Sequence, residues 1–432
     1  MLPFPQSGQG PVSAKKTFSI NNSRRDLQRL ERQARKGEIA AQLTLANIYE
    51  SDRNIFDIGL AAMWYLQAAQ QGSAEAQVRI GEMYLEGAGI RKDPGEAVVW
   101  FKKAAATGNP DALSNLAWCH LKGLGVRKDL THAFKLYSQS AAQNHHSSCY
   151  NLGYMYEHGY GVQHDARLAF SWYLEAAQQG NAKAQLKIGT LYGSGRGVSR
   201  DQIEAVEWYR KAAEQDYAKA QYNLAMMYST GKGVPEDQRQ ACKWLRKAAE
   251  QGYVRAQYNL GICYLDGNGC GKDHIEALDW LLKAAGRDYT RAQYQLGKIY
   301  ATGQGVPIDL QEAAGWFKLA AKKGHARAQF SLGKLFIEGL GVEQDPVVAF
   351  NWFTKAAESG YPPAQYSLGV MYGKGRGVTR DYIKAYGWLF AAATADEPHA
   401  MTVLRKLKSK MSREELLKGG ILGERLCLEY SS

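Results

Sequence analysis

Six of the nine histidines in this 432-residue sequence fall between His120 and His164: His120, His132, His145, His146, His158 and His164. Imidazole is a common metal ligand, but zinc needs three or four ligands converging at fixed spacing. No two of these histidines stand four residues apart on one helix, so drift between copies of a repeat explains the cluster equally well and no metal ligand is assigned. Gly-x-Gly turns recur nine times, from Gly87 and Gly89 to Gly375 and Gly377, and such turns can cradle phosphate when they follow a strand. None does so here, and a turn repeated nine times is a building part. Ser13 and Lys16 match a Ser-x-x-Lys nucleophile spacing, yet they sit in a tail with Pro3, Pro5 and Pro11 and have no supporting partner. No catalytic residue and no cofactor site is assigned, and the chain is not expected to be an enzyme.

The elements that position these side chains repeat every 36 residues. An anchoring alanine recurs at Ala76, Ala112, Ala184, Ala220, Ala256, Ala292, Ala328, Ala364 and Ala400, with Ser148 in register and Ala41 one residue out. Within one copy Ala220, Leu224, Met227, Tyr228 and Gly231 share one face of a 3.6-period helix. Ala241, Trp244, Leu245, Ala248 and Ala249 share the face of a second. Glycine at both turn positions suits a helix C-terminus at positive φ. The Asp after each turn, Asp93 to Asp381, is placed to cap the second helix, and Glu96, Glu204, Glu276 and Glu312 would complete capping boxes. Mid-helix Gly81, Gly153, Gly189, Gly261, Gly297, Gly333 and Gly369 predict close helix packing, because glycine there costs about 1 kcal/mol against alanine. Nine of the ten tryptophans, Trp64 to Trp388, hold one slot of the second helix and are expected in the core.

The pattern A-Q-Y-x-L-G-x-x-Y, G-x-G-V, D-x-x-x-A-x-x-W-x-x-K-A-A resembles the Sel1-like repeat, a relative of the tetratricopeptide repeat, over about residues 41 to 410. The resemblance implies an all-α fold, a right-handed α/α superhelical solenoid of about ten 36-residue helical hairpins with terminal capping helices. It further implies that the first helices line a concave groove and that the protein is a scaffold or adaptor, with bacterial relatives in envelope processes or host interaction.

The organisation expected along the chain is a disordered tail over 1–23, a capping helix over 24–40, repeats one to ten over 41–399, and a half repeat with a closing segment over 400–432. Repeat one replaces the Gly-x-Gly turn by Ser51 to Asp57. Ser412 and Glu415 should open a last helix that ends at Gly419 and Gly420 and serves as a polar-backed lid. No apolar run is long enough for a signal peptide or a membrane helix. Six cysteines, Cys119, Cys149, Cys242, Cys263, Cys270 and Cys427, occupy different repeat positions, which favours a reducing, cytoplasmic compartment; export by a signal hidden in the tail is the alternative.

Counting the anchoring alanine as position one, the core takes positions one, five, eight and nine and leaves three, four and seven toward the groove. Position three carries Tyr150, Tyr222, Tyr258 and Tyr294, and position four carries Asn115, Asn151, Asn223 and Asn259. Position seven carries Trp118, Tyr154, Met226 and Ile262, followed by Lys298 and Lys334. These residues form the candidate surface for a protein or extended peptide segment with an acidic end, the amides bonding its backbone and the rings anchoring it. The same columns would also exist if they only packed between neighbouring helices. The net charge of +12 places lysines and arginines, such as Lys103, Lys211 and Lys247, on solvated faces. A basic edge of turn residues, Arg91, Arg127, Arg196 and Arg376 among them, would instead suit RNA or an anionic membrane. Oligomeric state is not specified.

Overall fold

A computed structural model describes residues 24–52 and 55–430; the N-terminal tail with Ser13 and Lys16 and part of the turn in repeat one lie outside them. Among the described residues there are 23 helices and no strand. A first helix, Arg24–Arg35, precedes alternating first and second helices that run from Ile39–Ser51 and Ile58–Gln70 to Pro362–Lys374 and Tyr382–Thr394. Ala400–Lys408 and Arg413–Tyr430 close the array.

Repeat five shows why each copy folds as a hairpin. Its first helix, Ala182–Ser194, opens where the Asn181 side chain accepts the Ala184 N–H. It closes at Gly195, whose φ of 73° is left-handed and whose N–H bonds the Leu191 carbonyl. Asp201 then accepts the N–H groups of Ile203 and Glu204 and starts the second helix, Gln202–Glu214. The glutamate half of the expected capping box does not form in these repeats. The Asp201 N–H bonds the Tyr192 carbonyl at 3.0 Å, as Asp93, Asp273 and Asp309 bond Tyr84, Tyr264 and Tyr300, so the donor that the glutamate would take is already engaged. The second turn glycine serves the contact between repeats. At Gly197, φ 75°, a Cβ would lie 2.1 Å from the Ala166 carbonyl oxygen of the preceding repeat. Glycine there lets one hairpin stack on the next.

The mid-helix glycines are close-packing sites. A Cβ at Gly81, Gly153, Gly297 or Gly333 would meet the ring of Phe101, Tyr173, Phe317 or Phe353 within 2.8 Å. Those rings belong to the residue after the tryptophan slot, and this is the deepest column: Tyr65, Phe101, Tyr137 and Tyr173 are fully buried. The tryptophans stand one step further out. Trp64, Trp100, Trp208, Trp280 and Trp388 are buried, whereas Trp172, Trp244, Trp316 and Trp352 are half-buried. Lysines three residues on lie over several of them, Lys103 at 3.9 Å from the Trp100 ring, Lys211 at 4.0 Å from Trp208 and Lys283 at 4.2 Å from Trp280. The lysines of the W-x-x-K pattern therefore cover rings besides solvating a face. Glutamine at position two explains itself by a bond to the previous helix, as Gln185 Nε2 to the Ala177 carbonyl at 3.1 Å and Gln329 to Ala321 at 3.1 Å.

Two compact units divide within the first helix of repeat six, one holding the residues up to Ala220 with Lys232–Pro235, the other Gln221–Gly231 and the residues from Glu236 on. In the first unit, repeats three and four depart from type in a coordinated way. Ser148 donates to Ser140, Ser140 donates to the Pro110 carbonyl at 2.7 Å, and His145 bridges Ser148 and Asp111 at 2.9 and 3.2 Å. Polar residues replace alanines there together, so the buried hydroxyls satisfy one another. In the second unit the closing helix does not stop at Gly419 and Gly420 but continues to Tyr430, because Gly419 and Gly423 seat the rings of Tyr386 and Phe390. Ser412 and Glu415 do form the expected reciprocal box, at 2.8 and 3.2 Å. Nor is the outer face of this helix polar throughout: Leu417, Ile421 and Leu428 are exposed on it.

Candidate interaction surface

The first helices of the first unit bond one to the next through positions four, seven and ten. Arg79 of repeat two pairs with Glu50 of repeat one and with Glu82 on its own helix. Glu82, almost fully buried, accepts the Asn115 amide of repeat three at 3.0 Å. Burial pushes the Glu82 carboxyl up, and Arg79 and Asn115 work against that shift. Tyr65 donates to Asn47 and Glu50 at 2.9 and 2.8 Å from beneath. Further on, Glu157 accepts from Lys187 at 2.8 Å and from the Tyr173 hydroxyl at 2.9 Å. Burial favours the protonated acid, but these two partners prevail and hold the Glu157 carboxyl below its ordinary range.

The expected exposure of the early groove residues is therefore corrected. Trp118 is 6 % exposed and belongs to the core around Leu121, Leu152 and Met155, with Lys122 4.8 Å from its ring. Asn115 and Asn151 are buried, Asn115 because its amide is spent on Glu82. Tyr150 is half-buried against Tyr173, ring centres 5.3 Å apart, and burial lifts its hydroxyl pKa to about 12. Tyr154 is half-buried and packs against His158 with ring centres 4.1 Å apart and the planes tilted by 30°. Position four in this unit is a connector between repeats, a role that its helical face alone cannot reveal.

In the second unit the position-three rings form a ladder with the residue that opens the next first helix. Tyr222 meets Tyr253 at 5.2 Å, Tyr258 meets Tyr289 at 5.3 Å, Tyr294 meets His325 at 4.6 Å and Phe330 meets Tyr361 at 5.4 Å. Tyr253, Tyr289 and Tyr361 make no capping hydrogen bond, where Ser73, Asn109 and Asn181 cap the equivalent helices of the first unit. A ring contact stands in for a lost cap. Asn223, Met226, Tyr258, Asn259 and Ile262 are half-buried, and Asn259 lies 3.5 Å from the Met226 sulfur. Lys298 and Lys334 are exposed, as the sequence suggests. The spacing did not single out Arg255, Arg291 and Arg327, exposed one residue before the anchoring alanine. Their signal is a basic residue recurring at one register.

Other chemistry leaves smaller traces. His120 and His132 pack edge to face at 4.4 Å, and burial and the neighbouring His132 hold the His120 pKa down. Among the described residues no group of three His, Cys, Asp or Glu side chains is placed to hold a metal, the six cysteines are unpaired, and no helix is long and apolar enough to cross a membrane.

Helical hairpins that repeat in register and join through their first helices define a repeat protein of the α/α solenoid class. The Sel1 repeat model matches ten successive segments, residues 40–73, 74–109, 110–145, 146–181, 182–217, 218–253, 254–289, 290–325, 326–361 and 362–397, and the chain belongs to the Sel1 repeat family. It is similar over 94 % of its length, and 95 % of the other's, to a protective antigen with an SLR fold present in uropathogenic Escherichia coli strains, at 32 % identity and a TM-score of 0.58. A Sel1 repeat protein from Oxalobacter formigenes is 30 % identical over 85 % of this chain and 94 % of that one, with a TM-score of 0.56. No curated protein matches the chain.

Proposed function

We propose that this protein is a non-catalytic scaffold or adaptor that holds a polypeptide segment on its first-helix faces. The observation that carries the reading is the register of half-buried side chains on consecutive helices of the second unit, Tyr222, Asn223 and Met226, then Tyr258, Asn259 and Ile262, then Tyr294 beside the exposed Lys298. Side chains of the same kind at the same height on neighbouring helices suit an extended chain, whose own groups repeat along its length. The Sel1 fold, commonly used for protein–protein interaction, supports the same reading. A photo-crosslinking residue at Ile262 or Met226 should capture a polypeptide, and one at Ile203, exposed at the start of a second helix, should not. Equal capture from Ile203, or none from the first helices, would overturn it.

A second reading places the same surface on a bacterial factor outside the cytoplasm, facing a host or envelope partner. What favours it is the similarity to the protective antigen of uropathogenic Escherichia coli. Fractionation of the native organism separates it from a cytoplasmic adaptor. RNA or membrane binding by the basic turns would instead show a steep loss of binding with salt.

A further inference from the structure

We infer that the first-helix face of repeats seven to nine, within the second unit, takes an acidic polypeptide segment, its carboxylates set against Arg255, Arg291, Arg327, Lys298 and Lys334; this rests on the adaptor reading above. The helices concerned are Val254–Asp266, Thr290–Thr302 and Ala326–Glu338. On each, the arginine and the position-seven residue stand seven apart, with the ring and the amide or hydroxyl of positions three and four between them, so all share one helical stripe. All five cations are exposed, and among the described residues none makes an ion pair. The acids on these three helices are Asp266 and Glu338, exposed at the far ends of two of them, and Asp288, in the turn before Thr290–Thr302, pairs with Lys323.

The contrast with the first unit gives these charges their meaning. There the position-four cations of the first helices are matched within the fold: Arg79 has Glu50 and Glu82, and Lys187 has Glu157. In repeats seven to nine the cations stand instead at position seven and one residue before position one, the latter the register of the exposed Lys183 and Lys219, and make no ion pair among the described residues, but here they recur on three successive helices. Like charges held together on successive repeats repel, and a ligand of opposite charge relieves that repulsion. Arginine also offers a planar fork that fits a carboxylate with two hydrogen bonds.

A nucleic acid fits this face less well. The rings beside the arginines already pack on ring neighbours, Tyr258 on Tyr289 and Tyr294 on His325, so they offer no free platform for a base. The amides of Asn259 and Gln295, lying between the cations, are suited to the backbone of an extended peptide.

The test uses the full chain and a fluorescent peptide of alternating glutamate and serine, its glutamine counterpart, and a single-stranded oligodeoxynucleotide of equal charge. The glutamate peptide should bind and the glutamine peptide should not. Arg291→Gln with Lys298→Gln and Lys334→Gln should weaken binding tenfold or more, while Arg291→Lys with Lys298→Arg and Lys334→Arg should keep most of it. Lys243→Gln with Lys318→Gln, on exposed second-helix positions, should change nothing. Absence of binding by the glutamate peptide, equal binding by the triple glutamine variant with its helical signal intact, or tighter binding of the oligonucleotide would each overturn the inference. If Ile262 still crosslinks a polypeptide whose capture is indifferent to salt and to the triple variant, this inference fails and the adaptor reading stands. If no polypeptide is captured at all, the adaptor reading fails and takes the inference with it.

Discussion

Replacing Glu157 by glutamine removes one negative charge from a side chain only 7 % exposed while keeping its shape and an oxygen for the Tyr173 hydroxyl. A hydrogen bond to a charged group contributes about 1.5–3 kcal/mol, and a neutral one about 0.5–1.5 kcal/mol. Loss of the charge toward Lys187 should therefore cost about 1–2 kcal/mol near neutral pH. The pH dependence follows from the direction of the shift. Because the folded-state pKa of Glu157 lies below its ordinary value of 4.5, its contribution is complete above the unfolded pKa and is lost as pH falls through the folded one. The glutamine variant lacks this component, so the gap between the two proteins should close as Glu157 takes up its proton. Urea unfolding followed by circular dichroism, from about pH 7 to about pH 3, spans the window. Repeat arrays can unfold in parts, so hydrogen exchange of the amides in Ala182–Ser194 supplies the local readout. Lys187→Met should cost far less when combined with Glu157→Gln than in the native protein. A gap that is constant across the pH range, or costs that simply add, would refute the assignment of Glu157 as the charge that matches Lys187.

Three further outcomes test the packing. Gly297→Ala should destabilise by about 1–3 kcal/mol, because its methyl would sit 2.5 Å from the Phe317 ring, and a gain in melting temperature would show that helix propensity decides instead. Tyr289→Ala should lose the contact with Tyr258 and cost about 0.5–1.5 kcal/mol beyond the buried area, whereas Tyr289→Asn should recover part of that by restoring a cap; equal melting of the two would deny the exchange of ring for cap. With all six cysteines unpaired, excess reductant should leave the melting temperature unchanged, and a drop of several degrees would reveal a bridge.

The hairpins were legible because the residues that make them act locally. Glycine at positive φ after Leu191 and aspartate at the start of Gln202–Glu214 work within a few residues of themselves and recur every 36 residues, so one copy explains ten. The candidate surface was legible only in part, because its side chains act across repeats. A helical face says that Asn115 points away from its own hairpin's core, but it does not say that Glu82 of the previous repeat waits within 3.0 Å. Trp118 met the same fate: outward on one helix is inward once the neighbours are stacked. The capping boxes failed for a different reason, inside one repeat: Asp201 satisfies its N–H through the Tyr192 carbonyl and leaves Glu204 without that role.

The same distinction bears on which charges are free to act. A charge matched within the fold, such as Glu157 with Lys187, stabilises the stack and is poorly available to a ligand, since a partner would have to displace a bond already made. An exposed cation with no counter-charge contributes little to folding but loses none of its potential to an internal partner. Thr302 stands four residues after Lys298 on one helix, where an acid would make an i,i+4 pair, and bonds the Lys298 carbonyl instead. On these helices acids stand only at the far ends, at Asp266 and Glu338, so the stripe from Arg255, Arg291 and Arg327 to Lys298 and Lys334 stays positive and its charges remain available to a ligand.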